Sequence, residues 1–334
     1  LGADVVILSV GVRPESELAA RAGLKLSERG LIVTDETMRT SDEHIYAVGD
    51  AVAVRHFVSG AETHIALAGP ANKQARIAAD NICGLGSRYT GALGSAVIKL
   101  FDMTIAATGL NERQIKQLGI PYDKVFLWSS SHATYYPGAS NMSLKVLFNT
   151  ETGKILGAQI AGFNGVDKRI DVLATAIRAG MTAYDLTELD LAYAPPFSSA
   201  KDPVNMAGYV MENILTGKVR QHHWHDVEAL EQRPDIVLLD VRTEEEFNRG
   251  HFKNAVNIPL HTLRGRLEEL RGKGKIYVSC QSGLRSYIAA RILTQHGFDC
   301  SNLAGGYRLY AAVRKNAAFD GALTYPCGVK VKKP

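Results

Sequence analysis

One cysteine stands where an apolar strand pattern meets a helical pattern, in the carboxy-terminal third of the chain. The strand pattern is Ile276-Tyr277-Val278-Ser279, and Cys280 follows it directly. The loop after the cysteine consists of Gln281, Ser282, Gly283, Leu284, Arg285 and Ser286. Unsatisfied backbone N–H groups at the start of a helix carry partial positive charge and stabilise an anion placed against them. The pattern therefore predicts a nucleophilic thiolate at Cys280, cradled by the amides of this loop.

Two residues of the loop favour chemistry over packing. Gly283 allows the backbone to approach closely, and Arg285 adds a fixed positive charge. Such a cradle suits a thiolate, a persulfide or an oxyanion. The alternative is an ordinary buried thiol, because free cysteine is among the most buried residue types. A strand, a cysteine, a glycine-containing turn and a helix in this order favour a catalytic role for Cys280 and Arg285.

The elements that must position this loop alternate regularly along the chain. Strand patterns lie at residues 236–241, 255–258 and 276–279. Helical patterns lie between and after them, at residues 244–249, 263–270 and 284–295. This alternation predicts a small doubly wound parallel sheet, which we assign to residues 222–334.

Several motifs between Trp224 and Tyr310, taken in order, resemble the rhodanese family. They are Leu239-Asp240-Val241-Arg242, then Gly250-His251 with Ala255-Val256-Asn257-Ile258-Pro259, then Leu303-Ala304-Gly305-Gly306-Tyr307. Phosphatases that share this fold have a cysteine loop one residue longer, sized for phosphate. The shorter loop from Cys280 to Arg285 implies transfer of sulfane sulfur, carried on Cys280 as a persulfide.

A second pattern lies near the beginning of the chain, where a strand pattern at residues 45–48 ends in Gly49-Asp50. Backbone N–H groups at such a turn can bind a phosphate, while the carboxylate accepts hydrogen bonds from sugar or ribityl hydroxyls. Further strands are predicted at residues 4–10 and 31–35, and a helix at residues 70–83. A strand-turn carboxylate without a ligand is the alternative for Asp50.

Gly49-Asp50 and the residues around it resemble the second flavin fingerprint of the pyridine nucleotide–disulfide oxidoreductases, in the branch of coenzyme A-disulfide reductases and NADH oxidases. Gly11, in Gly11-Val12-Arg13-Pro14, resembles the loop that closes the nicotinamide domain. The resemblance implies FAD and NAD(P)H as cofactors. It also implies that a helix start at Ala66-Leu67-Ala68 faces the flavin ring. Residues 1–94 are then the carboxy-terminal part of a Rossmann-type cofactor-binding region.

Residues 95–217 have strands and helices in mixed order, which predicts an α+β domain. Strands are expected at residues 97–108, 124–128, 144–149 and 155–161, with a turn at Thr152-Gly153, and helices at residues 112–118, 168–179 and 203–215. The domain resembles the dimerisation domain of the same oxidoreductases, whose coenzyme A-disulfide branch places two tyrosines in the partner subunit's active site. By motif these are Tyr193 and Tyr135. The alternative is that both tyrosines pack at an interface.

Composition narrows the possible partners, the cellular compartment and the kinds of metal site. The formal charge is +4 over 334 residues, and the basic residues are dispersed except for Lys330, Lys332 and Lys333, so neither nucleic acid nor a membrane is expected as a partner. The four cysteines, at positions 83, 280, 300 and 327, contain no C-x-x-C pair and no metal-like grouping with histidine. A reducing cytoplasm and no metal are therefore expected, with Cys83 in the core.

Taken together, the patterns predict a fold class of α/β and α+β, and the resemblance of residues 95–217 to a dimerisation domain implies a homodimer. The resemblance implies part of a reductase of coenzyme A disulfide, coenzyme A persulfide or polysulfide, fused to a rhodanese. The family's first flavin motif, nicotinamide motif and redox cysteine do not occur in the 334 residues, which indicates a fragment. Two alternatives stay open: a sulfurtransferase with the reductase remnant as a dimer scaffold, and a non-catalytic sulfur carrier or interaction module.

Overall fold

The computed structural model describes residues 4–8 and 11–315. The chain divides between Ala96 and Val97 into two compact units, which are described separately. In the described residues, no helix has both the length and the apolar character needed to cross a membrane.

The first unit contains helix α1 (Glu17–Arg21), a short antiparallel pair β1 (Val54–Arg55) and β2 (Glu62–Thr63), and helix α2 (Ala68–Ile82). The predicted helix at 70–83 is confirmed and begins two residues earlier. The three predicted strands are wrong in the described residues. Residues 4–8 are exposed and form no strand, and residues 9 and 10 lie outside the described residues. Residues 31–35 and 45–48 contribute only isolated bridges, two at Ile32 and one at Tyr46. The physical reason is that a strand needs neighbours to pair with, and the described part of this unit offers residues 31–35 and 45–48 only isolated bridges.

The second unit begins with a five-stranded sheet in the order β3-β4-β7-β6-β5. Its strands are β3 (Ala96–Leu100), β4 (Met103–Gly109), β5 (Tyr122–Ser130), β6 (Asn141–Asn149) and β7 (Ile155–Gly162). The single strand predicted at 97–108 is two strands, because Phe101 takes a left-handed φ of 52° at the turn between them. The hairpin turn predicted at Thr152-Gly153 is confirmed, since β6 and β7 pair antiparallel on either side of it.

Helices α3 (Glu112–Gln117), α4 (Val166–Arg178), α5 (Ala183–Thr187) and α6 (Pro203–Leu215) complete this part, and α4 packs on strands β4 and β7. Helix α6 has its predicted bounds, because Asp202 caps its first turn and Pro203 fits the first helical position. Helix α5 was not predicted. The mixed arrangement confirms the α+β prediction.

The rest of the unit is a five-stranded sheet in the order β10-β9-β11-β12-β8, with every pairing parallel. The strands are β8 (Gln221–His222), β9 (Ile236–Asp240), β10 (Val256–Asn257), β11 (Lys275–Ser279) and β12 (Cys300–Leu303). The helices are α7 (Val227–Leu230), α8 (Glu244–Asn248), α9 (Leu284–Gln295) and α10 (Gly306–Lys315). The predicted parallel sheet is confirmed, while the helix expected at 263–270 is two 3₁₀ turns, Leu263–Gly265 and Leu267–Leu270.

Candidate functional site

Cys280 follows the last residue of β11 and lies three residues before the end of the loop that opens α9. The residue is fully buried among the core side chains of the parallel sheet. The backbone N–H of Gly283 donates to the Cys280 Sγ at 3.1 Å, and the Ser286 hydroxyl lies 3.2 Å from the same sulfur. Gly283 has a φ of 107°, a left-handed conformation that favours glycine, and it caps α9. The sulfur is thus held at a helix start, as the sequence predicts.

The remaining loop residues divide between the rim and the interior. Leu284 is 60% exposed, whereas Gln281 and Ser282 are half-buried and Ser286 is fully buried. The loop is closed from behind by α10, because the N–H groups of Tyr307 and Arg308 donate to the carbonyls of Cys280 and Gln281 at 2.8 and 3.0 Å. A Cβ at Gly306 would lie 2.6 Å from the Cys280 carbonyl oxygen, so only glycine fits there.

Arg285 does not stand alone beside the sulfur. Its two terminal nitrogens donate to the two carboxylate oxygens of Glu246, each at 2.7 Å, in a bidentate pair. The Arg285 guanidinium lowers the pKa of Glu246 to about 2, so the carboxylate is ionised near neutral pH. The sequence predicted the cation, but it gave no sign that Glu246 would neutralise it. The Thr243-x-x-Glu246 capping box signals only the start of α8.

A second ion pair supports the loop from below. Arg242 and Asp240 are both buried, with a 2.6 Å contact between the Arg242 Nη2 and the Asp240 Oδ2. Arg242 also donates to the Gln281 Oε1 at 3.3 Å and to the Gly250 carbonyl at 2.7 Å, and it stacks 4.2 Å from the Tyr307 ring centroid. Both residues belong to the first rhodanese-like motif, so the signal was present in the sequence, although they were not assigned to the site.

The two predicted tyrosines meet. The Tyr135 and Tyr193 hydroxyl oxygens are 2.9 Å apart, although the residues lie on separate loops, after β5 and after α5. Tyr135 is 75% exposed and Tyr193 45% exposed. The hydrogen bond with Tyr135 raises the pKa of Tyr193. The pair therefore presents hydroxyl groups at a surface and not in a core.

One buried arginine ties these two loops together. The Arg169 Nη2 donates to the Ser131 carbonyl and to the Ser198 Oγ, each at 3.0 Å, and to the Asp202 Oδ2 at 2.9 Å. Ser131 precedes Tyr135 on one loop, and Ser198 follows Tyr193 on the other. The loops also join directly, since the Ala133 N–H donates to the Ser198 carbonyl at 2.8 Å. The sequence did not indicate Arg169, because an arginine within a helical pattern usually predicts a solvent-exposed side chain.

In the first unit, Gly49 has a left-handed φ of 87°, and its N–H donates to the buried Gln74 Oε1 of α2 at 2.8 Å. Asp50 follows it with an exposed side chain, and the Asp50 carbonyl accepts from the His64 ring at 2.7 Å. Helix α2 begins at Ala68 after Leu67, and no side chain caps its amino end. Gly11 is exposed with a φ of 71°.

Three family models match the chain in order. The pyridine nucleotide-disulphide oxidoreductase model matches residues 1–75, the dimerisation domain of that family matches residues 95–203, and the rhodanese-like domain matches residues 223–312. The chain belongs to the pyridine nucleotide-disulphide oxidoreductase family. It also carries a rhodanese-like domain, and membership of the family implies flavin and nicotinamide cofactors.

Solved structures and curated relatives agree with this assignment. Reduced CoADR-RHD from Bacillus anthracis is 50% identical, with a TM-score of 0.91 over 94% of this chain and 56% of that chain. A NAD-dependent persulfide reductase from A. fulgidus is 43% identical, with a TM-score of 0.82 over 91% of this chain and 55% of that chain. The NAD(P)H coenzyme A polysulfide/persulfide reductase of Pyrococcus horikoshii is 38% identical over 210 residues, which are 63% of this chain and 47% of the relative. The chain thus spans about half the length of the curated relatives it matches.

The dimerisation and rhodanese-like domains are joined by polar contacts. Gln221 and His223 both contact the Asp123 carboxylate of β5, at 2.7 and 2.9 Å. The Trp128 indole, also on β5, donates to the Gly305 carbonyl at 3.0 Å. Since Gly305 directly precedes α10, which closes the Cys280 loop, the dimerisation domain supports that loop indirectly.

The other cysteines lie apart from this loop. Cys83 ends α2 and is exposed, so its predicted place in the core is wrong. Cys300 is buried, and its burial raises the pKa of the thiol. Cys327 lies outside the described residues. In the described ranges, no group of three or more histidine, cysteine or acidic side chains is placed to hold a metal ion.

Proposed function

We propose that this chain is part of an FAD- and NAD(P)H-dependent reductase of coenzyme A disulfide, coenzyme A persulfide or polysulfide, in which the rhodanese-like domain carries sulfane sulfur on Cys280. The observation that carries the sulfur-transfer half is the pair of donors on the Cys280 Sγ, from Gly283 and Ser286. These donors hold a sulfur anion at the start of a helix, where such an anion is stabilised.

Sulfur transfer proceeds by two thiol–persulfide exchanges. The Cys280 thiolate attacks the outer sulfur of a donor R–S–SH, the S–S bond of the donor breaks, and RS⁻ leaves while Cys280 becomes a persulfide. An acceptor thiolate then attacks the outer sulfur of the Cys280 persulfide and regenerates the Cys280 thiolate. One covalent carrier thereby divides a single exchange into two nucleophilic attacks.

The first unit supports the flavin part of the proposal. Gly49 offers a left-handed turn, Asp50 an exposed carboxylate, and α2 an amino end that no side chain caps. These groups fit the phosphates, the ribityl hydroxyls and the electron-rich ring of FAD, with Ala66, Leu67 and Ala68 toward the ring and Gly11 at the nicotinamide side. Bound FAD would supply two-electron transfer from NAD(P)H to a disulfide or mixed disulfide of an active-site cysteine that this sequence does not contain, and the S–S bond would be reduced to thiols.

The tyrosine pair supports the disulfide-cleaving part. A phenol can donate a hydrogen bond to a departing thiolate, and the Tyr135–Tyr193 contact leaves one hydroxyl hydrogen of the pair available for such a donation. We place this pair in the active site of the other subunit of a homodimer. Edge strand β3 supports that assembly, because all five of its residues are exposed and three of them are Val97, Ile98 and Leu100.

Sulfur transfer is tested first by Cys280→Ser. Sulfur transfer from thiosulfate to cyanide should fall about 1,000-fold or more, since the covalent carrier is lost. The matched control is Cys300→Ser, which removes a second thiol that is buried in the described part of this domain and should keep most of the activity. Equal activity in both variants would contradict the role of Cys280.

The reductase part is tested in the full-length enzyme with Tyr193→Phe. Turnover of coenzyme A disulfide or persulfide should fall roughly 10- to 100-fold, while reduction of the flavin by NAD(P)H is unchanged, because the hydroxyl acts only at the sulfur step. Tyr184→Phe is the control, since Tyr184 is 46% exposed against 45% for Tyr193. Equal slowing of both half-reactions would indicate packing. A purified enzyme without flavin absorbance would favour a sulfurtransferase on a dimer scaffold.

A further inference from the structure

We infer that Glu246 sets the donor specificity of the Cys280 loop: by neutralising Arg285, it disfavours dianionic donors such as thiosulfate and favours organic persulfides. The inference rests on the proposed sulfur-carrier role of Cys280 and goes beyond it, because it names the charge class of the donor. It depends on the charges placed around the loop.

The charges at the loop are paired. Arg285 forms a bidentate pair with Glu246, and Arg242 forms a buried pair with Asp240. Arg285 and Arg242 therefore each have their own carboxylate. The donors that contact the Cys280 sulfur are neutral: the Gly283 N–H and the Ser286 hydroxyl. A cradle of neutral donors can hold the single charge of a persulfide, whereas the second charge of a dianion would meet an Arg285 guanidinium that is already paired with Glu246.

Glu246 also holds Arg285 in place. The two parallel 2.7 Å contacts fix the guanidinium in one plane, which a single contact could not do. The low pKa of Glu246, about 2, keeps its carboxylate charged wherever sulfur transfer is measured. Glu246 does not contact the sulfur in the structure, so it acts through Arg285 and is a positioning residue.

The sequence offers a substitution that changes only the charge. Glu246 is the third helical residue of a capping box, and its Oε2 accepts from the Thr243 N–H at 3.1 Å. Glutamine serves equally well at that position of a capping box. Glu246→Gln therefore keeps the start of α8 and one acceptor for Arg285, while it removes the negative charge. Glu245→Gln is the matched control, because Glu245 is an exposed neighbour on the same helix.

The test compares two donors, thiosulfate and the persulfide of 2-mercaptoethanol, with cyanide as acceptor. In Glu246→Gln, kcat/KM for thiosulfate should rise relative to the persulfide on the order of tenfold, mostly through KM, since one opposing charge is removed from a dianion. This gain for thiosulfate should be smaller at about 500 mM salt than at about 50 mM salt, because salt screens the charges. Glu245→Gln should leave the ratio unchanged. A ratio in Glu246→Gln equal to the wild-type ratio would overturn the inference, as would an equal loss with both donors.

A second measurement needs no folded variant. Alkylation rates of wild-type Cys280 with iodoacetate and iodoacetamide, read by peptide mass spectrometry, compare an anionic with a neutral reagent of similar size. The rate ratio should stay within about threefold of that for free cysteine, because Arg285 is neutralised. Preference for iodoacetate by tenfold or more would overturn the inference. If Cys280 is alkylated with the expected ratio but accepts sulfur from neither donor, the charge pairing stands and the proposed function fails.

Discussion

The Cys280 loop and the Tyr135–Tyr193 pair are built on opposite principles. Cys280 is fully buried, and the donors on its sulfur come from residues within six positions of it. The two tyrosines come from loops 58 residues apart and are largely exposed, and their hydroxyls bond to each other. The cysteine loop is complete within one domain of the chain. In the proposed function, the tyrosine pair offers hydroxyl groups to a reaction whose other parts must be brought to it.

The difference follows from the chemistry proposed for each region. A covalent sulfur carrier must protect its persulfide and hold it in one orientation, and neighbouring backbone groups do this with little entropic cost. A phenol that assists cleavage in another subunit must project from its own domain. Its geometry then depends on what fixes the base of the two loops, which here is the buried Arg169.

The strongest test of this comparison is Arg169→Met. Arg169 and Asp202 are both nearly inaccessible, so the substitution leaves the Asp202 carboxylate buried without its cation. The free energy of unfolding should fall by about 3–5 kcal/mol, the usual cost of breaking a buried pair from one side. Urea unfolding of the chain measures the loss, and Asp202→Asn in the same chain should restore part of it. Sulfur transfer at Cys280 should persist under folding conditions, because Arg169 makes no contact with the Cys280 loop among its hydrogen bonds. A loss of sulfur transfer in Arg169→Met would mean that the two regions are not independent.

The parts that sequence predicts well are those whose signals are local. Helices α6 and α9 have the predicted bounds, since Asp202-Pro203 and Gly283 mark their starts within the chain itself. Cys280, Gly283 and Ser286 were predicted to form one loop, and the structure brings them together for the same local reason. The resemblance to known families paired Tyr135 with Tyr193, which spacing alone could not do.

What sequence could not predict is set by distant partners. Glu246 and Arg285 are 39 residues apart, and each alone reads as a solvated charge. Strands β8 and β12 have only two and four residues, too few for an alternating pattern, and they form because β11 offers β12 an edge that β8 then extends. The failed strands of the first unit show the reverse case, in which the apolar runs at residues 31–35 and 45–48 find only isolated bridges and no continuous partner strand among the described residues.

A smaller effect concerns the pH dependence of stability. We expect the rhodanese-like domain to lose stability at mildly acidic pH. Burial of His222, which belongs to β8 and pairs with Leu303 of β12, lowers its pKa from 6.5 to about 3. The folded state keeps this ring neutral while the unfolded chain protonates it, so stability is full above pH 6.5 and falls as pH decreases toward 3. The slope from this one group approaches about 1.4 kcal/mol per pH unit.

His222→Asn should remove that slope. Urea midpoints at several pH values between roughly 7 and 4.5 measure it, in the range where the unfolded chain gains the proton. His261→Asn is the control, since His261 is exposed in the same domain. If the free energy of unfolding of His222→Asn depends on pH as steeply as that of the wild type, the group responsible for acid lability lies elsewhere. The rhodanese-like domain would then not be the acid-labile part on account of His222.

The smallest expected effect asks how self-sufficient the Cys280 loop is. Trp128 of the dimerisation domain donates to the Gly305 carbonyl at 3.0 Å, and the Arg308 guanidinium lies 4.2 Å from the Trp128 ring centroid. Trp128→Phe keeps an aromatic face for Arg308 but removes the indole donor, so stability should fall by about 0.5–1.5 kcal/mol. Because Gly305 leads directly into the helix that closes the loop, sulfur transfer should fall by at most roughly two- to tenfold, the factor that corresponds to a loss of that size. Trp224→Phe, at the other tryptophan of the chain, is the control for loss of an indole.

The contrary outcome is a Trp128→Phe variant that loses stability but transfers sulfur at the wild-type rate. The Cys280 loop would then hold its geometry without help from the dimerisation domain. Its contrast with the Tyr135–Tyr193 pair would be sharper.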